Sequence, residues 1–215
     1  MKGGDLGVRA LTGTALVAVT VSAIWIGAWT YAFLMAVVFF FGCSELESAW
    51  RLIHPESGVL KRWLVSMALV GVPALALVQL GGWGEAYDPR LPMGWFALMW
   101  TNDSGAYIAG RSFGKHKLAP RVSPGKTWEG WAGGLLFTVA LGWFLQGALG
   151  LEWGLMLAAV VSLLGPLGDL AESFLKRKAG IKDSGHVLPG HGGVLDRFDS
   201  HLFSAPVAAV FLLIF

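Results

Sequence analysis

Seven apolar runs, near 8–27, 29–49, 61–81, 92–111, 129–149, 153–172 and 199–215, take up most of this chain. All but the last approach the roughly 20 residues that an α-helix needs to cross a bilayer. Lipid offers no partner to a free backbone N–H or C=O, so a spanning segment of that length has to be a helix. The chain is 55% hydrophobic and 14% charged, against about 25% charged in soluble domains. The expected fold is therefore all-α, a polytopic membrane helical bundle of about seven transmembrane helices. A soluble all-α protein with a large core is the alternative, and the segmentation weighs against it. A tight turn around Gly27 separates the first two runs, and the last run is short. The N-terminal MKGGDLGVR stretch could open a signal peptide, but the apolar run behind it is long and lacks a small-residue cleavage site. A retained first helix is expected.

Charge sets the orientation. With the N-terminus in the cytoplasm, segments 50–60, 112–128 and 173–198 share that side, and of the 16 Lys and Arg residues only Arg90 falls opposite. The positive-inside rule then gives an N-in, C-out arrangement. Tryptophans such as Trp29, Trp83 and Trp153 lie near one set of ends, and Trp50, Trp63 and Trp128 near the other, as an aromatic belt requires. Small-residue pairs such as Gly133–Gly134 suit close helix approach. Cys43 is the single cysteine, which excludes an intrachain disulfide.

Several charges stand where lipid would not tolerate them alone. Asp103 lies midway along the fourth run and Asp169 towards one end of the sixth. Carboxylates at such depth face a partner or a wet cavity. For Asp103 the alternative is a helix–helix hydrogen bond through Asn102 or Ser104; for Asp169, an interfacial acid after the Gly165-Pro166 break. Glu172 and Ser173 share a helical face with Asp169. Asp196 and Asp199 are three apart in DRFD, so one helical turn would point both the same way. Hard oxygen ligands suit Mg²⁺, and Asp169, Asp196 and Asp199 form the expected metal set, with Asp103 or Asp183 behind them; an Asp–Arg lattice is the alternative. Phosphate has its own candidates. RVSPGKTWEG puts Ser123, Lys126 and Thr127 in a Gly/Pro turn ahead of a helix N-terminus, where free N–H groups suit an anion. Lys176, Arg177, Lys178, Lys182 and Arg197 add cations, and His191, Gly192 and Gly193 suggest a backbone cradle. His186 and His201 are expected bystanders, and His54 and His116 carry no specific signal.

The run from Ser173 to Asp199, SFLKRKAGIKDSGHVLPGHGGVLDRFD, resembles the signature of the phosphatidate cytidylyltransferases, or CDP-diacylglycerol synthases. Ser173, Lys176, Arg177, Lys182, Asp183, Gly185, His191, Gly192, Gly193, Asp196, Arg197 and Asp199 fill its fixed positions. NDSGAY, SPGKTWEG and GPLGDLAES are also similar to the family, so the likeness covers about 95–205, while the first 90 residues match only as generic membrane helices. The resemblance implies a nucleotidyltransferase in phospholipid biosynthesis that converts CTP and phosphatidic acid to CDP-diacylglycerol and pyrophosphate. It implies Mg²⁺ on Asp169, Asp196 and Asp199 and leaves a second, monovalent cation open. Lys182, Asp183 and Asp103 join the catalytic set, and the phosphate set is Ser123, Lys126, Thr127, Lys176, Arg177, His191, Gly192, Gly193 and Arg197. The expected organisation is a single membrane domain over 1–215, with N-terminal helices in 1–90 and catalytic helices in 92–215 whose loops 112–128 and 173–198 face the cytoplasm. The expected location is the inner, cytoplasmic membrane, with CTP, phosphatidic acid and membrane lipids as partners, no nucleic acid, and a homodimer left open. A CDP-alcohol phosphatidyltransferase would need an Asp-Gly-x-x-Ala-Arg run, which is absent. A transporter using Asp103 and Asp169 as an ion relay would leave the dense cation loop unexplained.

Overall fold

Gly27 divides the first apolar stretch into α1 (Gly3–Ile26) and α2 (Ala28–Ile53). Its φ of +151° is open to glycine and strained for side chains. The Thr30 hydroxyl spans the break, donating to the carbonyls of Ala23 at 2.7 Å and Gly27 at 2.8 Å. This is a computed structural model that describes residues 3–214. Lys2, one of the orienting cations, and Phe215, the end of the last expected run, lie outside them.

Four further long helices and two short ones follow: α3 (Val59–Gly81), α4 (Arg90–Phe113), α5 (Trp128–Leu149), α6 (Gly154–Lys178), α7 (Leu195–Phe198) and α8 (His201–Ile214). The chain is thus an all-α polytopic membrane protein. Five helices, α1, α2, α3, α5 and α6, are long and apolar enough to cross a bilayer. The fourth expected run forms α4, but Arg90, Asp103 and Arg111 dilute its hydropathy because one of its faces is committed to a cavity wall. The seventh expected run, 199–215, begins only at His201 and gives a helix of 14 residues. At 1.5 Å per residue it reaches about 21 Å, less than the ~30 Å hydrocarbon core.

RVSPGKTWEG is not the turn the sequence suggested. Ser123–Thr127 is strand β2, paired antiparallel with β1 (Lys117–Ala119) in the register Lys117↔Thr127 and Ala119↔Ser123. The reversal itself lies at 120–122, where Val122 N–H donates to the Ala119 carbonyl at 3.1 Å.

The core mixes both halves of the chain: Ile24, Tyr31 and Leu77 pack with Trp95, Leu98, Leu157, Val161, Ala205 and Ala208. Inside it the Trp95 indole donates to His201 Nδ1 at 2.9 Å, so His201 is a buried packing residue. The tightest seam joins α4 to α5. Gly105, Ala109 and Gly110 face Gly130, Gly133 and Gly134, and a side chain on Gly133 would drive into the Cβ of Ala109. Without a hydrophobic drive between helices in lipid, such small-residue contact supplies the packing. Thr138 donates across the same seam to Asn102 Oδ1 at 3.4 Å and back to the Gly134 carbonyl at 2.7 Å.

Replacing Gly133 by Leu is expected to lower the unfolding temperature of the detergent-solubilised protein, through an overpacking cost of about 1–3 kcal/mol. Gly147→Ala, at a position with nothing within 4 Å, should not lower it.

Candidate functional site

The Ser173–Asp199 segment is organised by a residue far away in sequence. Glu45 of α2, 6% exposed, accepts from Val194 N–H at 3.0 Å, Leu195 N–H at 2.8 Å and the Ser184 hydroxyl at 3.2 Å. Gly185 and Gly193 permit this, since a Cβ on either would run into the Glu45 carboxylate. The loop is folded around that side chain. Sequence reasoning missed Glu45, because α2 carried no family motif; its one signal was a carboxylate inside the apolar FFFGCSELESAW.

A second carboxylate closes the loop from within. Asp196 accepts from Ser184 N–H at 2.9 Å, Gly193 N–H at 2.7 Å and Lys176 Nζ at 2.5 Å. Burial pushes its carboxyl up, but Lys176 and these two N–H groups outweigh it and hold Asp196 below the ordinary carboxylate value. Lys176 also meets Glu172 at 2.5 Å, one helical turn back on α6. Glu172 is 3% exposed. The sequence placed it on the face of Asp169 without assigning it a role.

Asp169, Glu172, Ser173 and Lys176 recur at helical spacing, so one stripe of α6 carries them all. Segment 196–200 lies along that stripe: Gly168 has no side chain because the Asp199 carbonyl occupies the space. The Asp199 carboxylate lies within electrostatic reach of the Asp169, Glu172 and Asp103 carboxylates. Its own contacts are local, to Ser200 N–H at 2.6 Å and the Ser200 hydroxyl at 3.3 Å.

At the Asp169 end of the stripe the helices part around a cavity of about 640 Å³. Asp103, Tyr107 and Arg111 of α4 form one wall, Ser123, Lys126 and Thr127 of β2 another, and Trp131, Pro166, Asp169 and Ser200 close it. Lys126 Nζ lies 2.7 Å from Asp169 Oδ2 and donates to the Pro166 carbonyl at 3.3 Å. Pro166 has no N–H to give the Ser162 carbonyl one turn back; Trp131 Nε1 supplies that hydrogen bond at 3.0 Å. Thr127 caps α5, its hydroxyl oxygen accepting from Gly130 N–H at 3.1 Å. That N–H is therefore not open to an anion in the way the sequence suggested.

The cavity thus unites Asp103, Asp169, Ser123, Lys126 and Thr127 and excludes other candidates from its lining. Asp196 and Asp199 do not point the same way: Asp196 is held by Lys176 and the loop amides, and Asp199 turns towards Ser200. Among the described residues, no three His, Cys, Asp or Glu side chains gather closely enough to hold a metal ion as they stand. Arg177 ties α6 to the hairpin, donating to the Val122 carbonyl at 3.4 Å and the Ile181 carbonyl at 3.3 Å. Arg197 donates to the His191 carbonyl at 2.9 and 3.2 Å. The His191 imidazole packs on Gly13 of α1 with Nδ1 buried. Its burial, with the Arg197 and Arg9 guanidiniums, holds its pKa below the ordinary value, so it is neutral at pH 7. Gly192, at φ +85°, has no room for a side chain beside Asp196. Lys182 and Asp183 are exposed, and neither lines the cavity.

Fold and site together define a polytopic membrane protein that keeps an ion-paired cavity at the level where its helices meet a charged loop. The sequence profile described as the cytidylyltransferase family matches residues 58–215, and the chain belongs to that family. It is 44% identical over 154 residues to a phosphatidate cytidylyltransferase of Staphylococcus epidermidis, covering 70% of this chain and 58% of that protein. Its counterpart in Staphylococcus aureus is 41% identical over the same shares of the two chains. That of Staphylococcus haemolyticus is 47% identical over 122 residues, 55% of this chain and 47% of the other. The chain thus spans about 58% of the length of the first two of these relatives.

Glu45→Ala strands two buried N–H groups, at a cost of about 1–3 kcal/mol each. Lower thermal stability and faster amide exchange across 184–195 are expected, with membrane insertion intact. Because the folded pKa of Asp196 is depressed, its hold on the loop is complete above about pH 3.9 and fades only as pH falls through the lower folded value. Protection factors of the Ser184 and Gly193 amides should therefore be equal at pH 7 and pH 5.

Proposed function

We propose that this chain transfers a cytidylyl group from CTP to phosphatidic acid, giving CDP-diacylglycerol and pyrophosphate. The observation that carries the reading is the cavity that sets Lys126 against Asp169 beside the signature loop. It offers both charge signs at the junction of apolar helices and polar loops. A phosphatidate phosphate oxygen would bond to the α-phosphorus of CTP while the bond to the bridging β-phosphate oxygen breaks, and pyrophosphate would leave with that electron pair. The attacking group is already anionic at neutral pH, so positioning and charge neutralisation make up most of the protein's contribution. Lys126 and Ser123 are placed to meet phosphate oxygens, and Lys176 and Arg197 to keep the loop in register.

Mg²⁺ is part of this proposal. Asp103 and Asp169 offer hard carboxylate oxygens on the cavity wall, and Asp199, outside that lining, lies within electrostatic reach of both and would have to turn from Ser200 to join them. Mg²⁺ retains several waters and commonly joins one or two carboxylates to substrate phosphates, so a closed protein cage is not required. When bound, the ion would neutralise triphosphate charge and favour departure of pyrophosphate. Asp169 and Asp199 are the ligands best placed for it, and Asp196 would have to give up Lys176 to join them. The same reading puts the protein in the bacterial plasma membrane with hairpin and loop facing the cytoplasm, as the asymmetry of Lys and Arg supports.

The test is incorporation of radiolabelled CTP into lipid by membranes containing the protein, with magnesium removed by EDTA and then restored. Activity that follows magnesium is expected; none with phosphatidic acid and CTP both present would overturn the reading. Asp169→Asn and Asp199→Asn should each lower turnover on the order of 10²-fold without loss of insertion. Full activity in either variant removes that residue from the ion's ligands.

A further inference from the structure

We infer that Arg111 and Tyr107, on the outermost turns of α4, form a clamp for the phosphate monoester of the lipid substrate. This inference rests on the reading above and adds a binding site to it.

The cavity has two cations on its walls, and only one is already paired. Lys126 stands 2.7 Å from Asp169. Arg111 is exposed, lines the same cavity, and has no carboxylate partner among the described residues; its contact is the Tyr107 hydroxyl, 2.8 Å from Nη1. The two side chains are four residues apart and so stand on one helical face. In that hydrogen bond the phenol oxygen is the acceptor, which leaves the phenol proton free to be donated onward. The guanidinium keeps its remaining N–H groups in a planar fork, the geometry that matches two phosphate oxygens. Arg111 and Tyr107 thus point convergent, unspent donors into a space whose other charged walls are acidic or neutralised.

Position along the helix selects the source of that phosphate. Asp103 lies eight residues deeper on α4, about 12 Å along its axis, so the cavity grades from carboxylates at depth to a bare cation at its mouth. The mouth is set among apolar surface: Ile108 is 56%, Phe113 70% and Trp128 52% exposed. In a membrane protein such residues meet acyl chains, and Trp suits the level of the headgroups. A second, smaller hollow of about 380 Å³ runs down the neighbouring face of α4 past Ile108, Ser104 and Thr101. An anion reaching Arg111 by this side carries a lipid tail. A nucleotide would enter from the hairpin and loop side.

The test measures binding, so it does not depend on turnover. Thermal unfolding of the detergent-solubilised protein is followed with dioctanoylphosphatidic acid, with dioctanoylphosphatidylglycerol and with CTP, for the wild type, Arg111→Gln, Arg111→Lys and Tyr107→Phe. The phosphatidic acid concentration giving half the thermal shift should rise at least about tenfold in Arg111→Gln, the loss expected for a charge-assisted hydrogen bond. It should rise less in Tyr107→Phe, recover in part in Arg111→Lys, and leave the CTP response unchanged throughout. Unliganded unfolding temperatures equal to wild type show that the variants fold. An Arg111-dependent shift of equal size with the phosphodiester lipid would mean a general headgroup contact and overturn the inference. Loss of the CTP response in Arg111→Gln would reassign the cation to the nucleotide and overturn it too. A wild type stabilised by CTP but not by phosphatidic acid overturns this inference alone; a wild type stabilised by neither overturns the parent reading with it.

Discussion

A carboxylate withdrawn from water must be met by a cation or by N–H groups, and this molecule is arranged around that requirement. Glu45, Glu172 and Asp196 all lie in or beside helices that are otherwise apolar. Each is answered: Glu45 by the amides of the distant loop, Asp196 by loop amides and by Lys176 of α6, and Glu172 by the same lysine one turn along its own helix. Removing one partner of such a set is more damaging than never having had it, because the survivor stays buried and unpaired. The charged loop therefore cannot move independently of α2 and α6.

This arrangement separates two tasks that look alike in the primary structure. The signature segment is crowded with acids and bases, and all of them read as candidates for substrate or metal. In three dimensions many of them hold the segment together. Asp196 and Arg197 bond to loop backbone, Arg177 ties the helix to the hairpin turn, and the glycines make room for carboxylates. The cavity that could receive a charged substrate lies to one side, bordered by Asp103, Asp169 and Lys126. The loop supports the cavity more than it lines it.

Helix packing supplies the rigidity that the cavity needs. α4 contributes Asp103, Tyr107 and Arg111 from one face and Gly105 and Ala109 to the α5 seam from another. With so little side chain in the seam, the backbones approach closely and α4 has little freedom to turn. The position of its polar face then follows from the packing of its small residues. Pro166 has a similar double effect, freeing the Ser162 carbonyl for Trp131 while its own carbonyl accepts from Lys126.

Hydropathy and charge determined that the chain is a bundle of membrane helices and where most of those helices run, and the motif spacing of Ser173–Asp199 carried its resemblance to the family. Those properties are local: a run of twenty apolar residues has few alternatives in lipid, and a motif of fixed spacing is read without folding it. The carboxylates at Asp103 and Asp169 were also legible, because an ionisable group inside an apolar run is conspicuous wherever it points. What the tertiary structure decided was partnership. That Glu45 anchors a loop some 150 residues away, that Asp196 and Asp199 face different neighbours, and that SPGKT is a strand leading into a capped helix all depend on contacts between distant segments. An ion pair or hydrogen bond gains its energy over a few ångströms of space, and separation along the chain carries almost no information about that distance.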